Sequence, residues 1–187
     1  MQLCERFWRL ITRSLVILLL VLAGSRKPGL GQETVGETEL KSAFIYNFTK
    51  FIEWPDTGPR TNSSHFVIGI FSGDAFVLEL QKGLAGKTAR GKPILVRKLA
   101  QNADATGCHL VFFSRNEARR LTDLGSTLKN SPVLTVGDSD RFTELGGMIG
   151  LFFEDKELRF HLNLPASDAA QLQISSKLIR LAKPGRR

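Results

Sequence analysis

The chain has 187 residues, 42% of them hydrophobic and 24% charged, a globular composition too apolar for a disordered segment. Its formal charge of +8 points to acidic partners, lipid head groups or cell-wall polymers. No basic run is interleaved with aromatic residues, so the charge gives no support to nucleic-acid binding.

In chain order, Arg6, Arg9 and Arg13 precede the apolar run of residues 15–22, and small residues follow at Ala23, Gly24 and Ser25. This pattern predicts a secretory signal peptide over residues 1–23, because the apolar run is short for a membrane span. Ser25 stands where an acylated cysteine would have to be, so no lipid anchor is expected. Residues 24–36 read as a flexible lead-in, residues 37–183 as one α/β domain and residues 184–187 as a basic tail. Cleavage would remove Cys4 and leave Cys108 as the one thiol, which excludes an intramolecular disulfide. Cys108 precedes an apolar strand-like run and is expected to be buried. The alternative is an intermolecular bridge.

Residues 40–55, LKSAFIYNFTKFIEWP, predict an amphipathic helix. Leu40, Phe44, Phe48, Phe51 and Ile52 share one face, while Lys41, Ser42, Asn47, Thr49, Lys50 and Glu53 make the wetter one. Pro55 ends it. Strands are predicted over residues 65–71, 93–99, 109–113 and 132–136. Helices are predicted over 75–84 and 116–129, and Asp138 and Asp140 sit in a turn that could cap a short helix through Leu145. Residues 148–153 and 157–164 read as a β-hairpin, and 167–181 as a final helix ended by Pro184 and Gly185. Strands alternating with helices predict a single-domain α/β sandwich: a mostly parallel central sheet with an antiparallel hairpin and helices on both faces.

Catalytic motifs are scarce. Gly86-Lys87-Thr88 lacks the glycine that a phosphate loop needs five positions earlier, where Gln81 stands. There is no G-x-S-x-G elbow. His65, His109 and His161 have no second histidine or cysteine at ligand spacing, so neither a metal nor any other cofactor is expected, and no catalytic residue is assigned. One constellation carries a binding reading. In residues 158–164, Arg159, His161 and Asn163 alternate with apolar residues, and a guanidinium can hold a carboxylate or phosphate bidentately. The competing reading of this trio is the solvated face of a hairpin.

The run K-x-A-F-I-Y-N-F-x-K-F-I-x-W-P resembles the opening of the YfiR-like family of bacterial periplasmic regulators. Three further stretches resemble it in the same order: FVIGIFSG from Phe66, PVLTV from Pro132 with Gly146-Gly147-Met148-Ile149, and Asn163-Leu164 with ISSKLIRLA from Ile174. The resemblance implies a non-catalytic periplasmic protein. Its expected partner is the periplasmic sensor region of an inner-membrane diguanylate cyclase, which it holds inactive. An OmpA-like outer-membrane lipoprotein is a second expected partner, one that titrates the repressor away; a homodimer is left open. Members of the family can pair a cysteine near the first strand with one before the third, and here Cys108 has no such partner. The exposed part of the first helix and the C-terminal segment are the candidate contact surfaces. A periplasmic small-molecule binding module built on Arg159 and His161 is the alternative function.

Overall fold

The computed structural model describes residues 35–56, 63–129 and 131–185, all within the unit Thr34–Arg187, and the expected signal peptide lies outside the described residues. Helix α1 is Val35–Phe51, with Glu37 in its first turn and Lys50 in its last, charges that match the helix dipole. Strand β1 is Ile52–Glu53, β2 is Phe66–Phe71, α2 is Asp74–Leu84, β3 is Thr88–Ala89 and β4 is Lys92–Lys98. Strand β5 is Leu110–Phe113 and α3 is Arg120–Leu128. Then come β6 (Leu134–Gly137), β7 (Ile149–Glu154), β8 (Glu157–Leu162), α4 (Leu164–Ala169), β9 (Gln173–Ile174) and α5 (Ser176–Leu181).

Seven strands make one sheet in the order β3-β4-β2-β5-β6-β7-β8. The run from β4 to β7 is parallel, while β3 on β4 and β8 on β7 are antiparallel. This is the predicted α/β sandwich with its hairpin. The hairpin turns through two residues, Asp155 (φ 50°) and Lys156 (φ 65°), the paired left-handed conformations of a tight turn that suits strand twist.

Strand β5 explains why its sequence is apolar throughout. Leu110 and Phe112 point into a core with α1, α2 and the chain after β8, and Val111 and Phe113 into a second core with Leu121 and Leu128 of α3. Helices therefore cover both faces. His109 is buried because its polar atoms are satisfied. Its Nδ1 accepts from the Val67 amide at 3.0 Å, its carbonyl accepts from Trp54 Nε1 at 2.9 Å, and its ring stacks on Phe66. Cys108 is buried as expected. A Cβ added at Gly69 of β2 would lie 2.7 Å from its Sγ, so the glycine is what makes room for the thiol.

Three expectations are corrected. The first helix ends at Phe51, and Ile52–Glu53 pairs with β9 instead, Ile52 opposite Ile174. No helix forms between Asp138 and Leu145, where overlapping turns close on Gly146 (φ 93°) and wrap the buried Phe142. The helix predicted over residues 167–181 is broken into α4, β9 and α5. Gln171 adopts φ 59°, which no helix continues through, and the β1–β9 pairing takes up the freed backbone.

Candidate interaction surface and the polar face of the last hairpin

Arg159 and His161 alternate with the buried Leu158 and Phe160 along β8. The Arg159 guanidinium pairs with the Glu157 carboxylate, and its Nε is buried with no hydrogen-bond partner among the described residues. His161 is itself buried, its ring stacked on Phe152 with centroids 4.3 Å apart. Its Nδ1 lies 3.2 Å from the Lys183 carbonyl; that oxygen can only accept, so this nitrogen carries the proton. Asn163 lies past the strand. Its Oδ1 accepts from the Ala166 amide as the cap of α4, and its Nδ2 donates to the Thr143 carbonyl. The structure thus brings Arg159 and His161 onto one strand and places Asn163 in a separate bonding set.

Lys183 completes this region. Its amide donates to the Phe160 carbonyl at 2.9 Å, so the chain after α5 lies along the outer edge of β8, and its ammonium is 2.8 Å from Glu154. The hydrogen bond and charge of Lys183 hold the Glu154 carboxyl below its usual range, with smaller help from Arg159 and His161.

The groups that sequence reasoning missed lie against the other face of the hairpin, beside Phe153. Lys41, predicted on the wetter face of α1, is 0% exposed. Its Nζ donates to Glu37 Oε1 and to Asp138 Oδ2, both at 2.8 Å, and Asp138 is 5% exposed. Taking these charges out of water is costly, and the contacts between them offset that cost. The network ties the first turns of α1 to the carboxyl end of β6. The spacing of Lys41 and Glu37 was visible, but Asp138 lies 97 positions away.

Because Lys41 turns inward, α1 is rotated from its predicted setting, and Leu40 is 37% exposed. Leu40 and Phe153, itself 39% exposed, floor a groove of about 490 Å³ whose rims carry Glu37 and Lys156. The Lys41 ammonium lies 6.0 Å from the Phe153 ring centre. The C-terminal segment presents a second apolar surface. Ser175 caps α5 and Leu178 anchors it, while Ile179 and Leu181 are 40% and 66% exposed beside Lys177 and Arg180. Such exposed apolar residues at charged rims suit protein contact. Among the described residues there is no group of three or more histidine, cysteine or acidic side chains that could hold a metal ion.

A family model described as YfiR/HmsC-like matches residues 38–183, from the first turns of α1 to the lysine that lies along β8.

Proposed function

Because this chain belongs to the YfiR/HmsC-like family, periplasmic regulators in the setting of cyclic-di-GMP signalling, we propose that it represses an inner-membrane diguanylate cyclase by binding that enzyme's periplasmic sensor region. The observation that carries this reading is the family match, which covers all the described secondary structure except the first residues of α1. The groove of Leu40 and Phe153 and the exposed Ile179 and Leu181 supply apolar contact area for such a partner. Repression requires no chemistry in the regulator. It must bind the inactive state of the cyclase more tightly than the active one, and only that difference shifts the equilibrium. An OmpA-like outer-membrane lipoprotein that competes for the same surface would release the enzyme.

Cellular cyclic-di-GMP tests the proposal in the native host, with and without the gene. A rise on deletion is expected, reversed by the intact gene but not by one lacking the codons for residues 2–23. An unchanged level across growth conditions would refute repression as its main role.

A second reading is favoured by the orphaned Nε of Arg159, a buried donor that an anion could satisfy. A small carboxylate or phosphate ligand would then sit against Arg159 and His161, with Asn163 holding the adjoining loop. A ligand-induced rise in melting temperature, absent in Arg159→Ala, is its expected signature.

A further inference from the structure

Tyr46, in the second half of α1, carries two ammonium groups on its ring. Lys50 Nζ lies 4.1 Å from the ring centre and Lys87 Nζ, from the turn between α2 and β3, lies 4.7 Å from it. Such contacts hold cations against an aromatic face. Here they bring two like charges onto one ring, and neither lysine makes an ion pair among the described residues.

The surroundings extend this basic end. Lys82 lies in the last turn of α2, and Arg90 and Lys92 belong to the β3–β4 hairpin. Lys82 is answered by Glu79 at 2.7 Å and Arg90 by Asp56 at 3.4 Å, whereas Lys50 and Lys87 have no ion-pair carboxylate among the described residues. The ends of α1 and α2 where these groups lie adjoin the amino ends of the parallel strands. The acidic residues Glu37, Asp74 and Asp138 mark the opposite end. The domain is therefore polarised along α1, with the Leu40–Phe153 groove at one end and the ammonium groups on Tyr46 at the other.

We propose that this basic end docks on an anionic phospholipid bilayer. Beyond the two ammonium groups that meet on Tyr46, Lys82 and Lys92 carry the positive charge on to the end of α2 and the β3–β4 hairpin. That layout fits a plane of phosphodiester head groups better than one soluble anion. Juxtaposed lysines attract such a surface through screened charge, and the half-buried Tyr46 fixes two of them in place. Docked this way, the groove at the other end of α1 faces away from the lipid. The inference does not depend on which enzyme is regulated.

Vesicle sedimentation tests it with the soluble protein recovered from expression of the full-length gene. Binding is expected to phosphatidylcholine vesicles containing about one-third phosphatidylglycerol and not to phosphatidylcholine alone, since basic side chains respond to the surface potential. It should fall at least about tenfold in the Lys50→Glu/Lys87→Glu double variant and be lost in 0.5 M salt. The Arg115→Glu/Arg119→Glu variant, with the same change in net charge at the carboxyl ends of the strands, should bind as the parent does. Competition by inorganic phosphate at constant ionic strength would identify a soluble-anion site and overturn the proposal. Equal binding to both vesicle types, equal loss in the two double variants, or no binding to either vesicle would also overturn it. Matching melting temperatures of the parent and the variants establish that each is folded. Vesicle binding is read without the cyclase, so its failure and that of the regulatory reading are separate results.

Discussion

Phe142 fills the space that two glycines leave open. A Cβ at Gly137 or at Gly147 would come within 2.2 Å of its ring carbons, and the ring belongs to the second core. Gly147→Ala should therefore cost about 1–3 kcal/mol through overpacking, read as a lower urea midpoint at unchanged slope. Lys41 is the other residue on which the local structure turns. Lys41→Met should cost about 3–5 kcal/mol, because it leaves Asp138 buried without its ammonium. The Lys41→Met/Asp138→Leu double variant should recover most of that loss, since it removes both charges and fills the same space with apolar atoms. A double variant no more stable than the single one would show that Asp138 has partners worth as much as Lys41.

At the scale of elements, the C-terminal segment depends on its last residues. Lys183 holds the strand edge through its amide and Glu154 through its ammonium. Glu154 has a folded pKa below its ordinary value of 4.5. The folded protein thus binds this proton more weakly than the unfolded chain does. The stabilisation is present above 4.5 and is lost as pH falls through the folded value. The melting-temperature gap between the parent and Glu154→Gln should be steady near neutrality and shrink below pH 4.5. A gap that stays constant down to pH 3 would exclude the pairing as its source. The division of the predicted final helix follows from the same economy of backbone bonds. Residues 167–181 carry a run of Leu and Ile that reads as helical, but the backbone of Ile52 and Glu53 takes Gln173 and Ile174 as its strand partner.

For the whole molecule, the arrangement separates surfaces of different kinds. The groove with Leu40 and Phe153 lies at the start of α1 and the Tyr46 cations near its end. Leu40→Asp and Phe153→Asp should each cost about 1–2 kcal/mol, since both side chains are still partly covered, and leave the protein folded. If the groove is the partner surface, the same substitutions should raise cellular cyclic-di-GMP to the level of the deletion. Full repression by both variants would move the contact to the exposed Ile179 and Leu181 of α5.

Much of the architecture was legible along the chain. The apolar run of β2, the four-residue β5 and the alternation of β8 are local patterns, because a strand covered on both faces or on one must be apolar in step with its pleat. The order of strands and helices was enough to define the sandwich, and Arg159 and His161 were marked as sharing a strand. What only the tertiary structure decided rests on partners distant in sequence. Asp138 draws Lys41 inward and rotates α1, Lys183 places His161 under cover, and β1 claims β9 out of a helical run. Lys87 reaches Tyr46 from another element to make the basic end. Periodicity reports how a segment meets a surface. It carries no information about which buried charge waits on the other side.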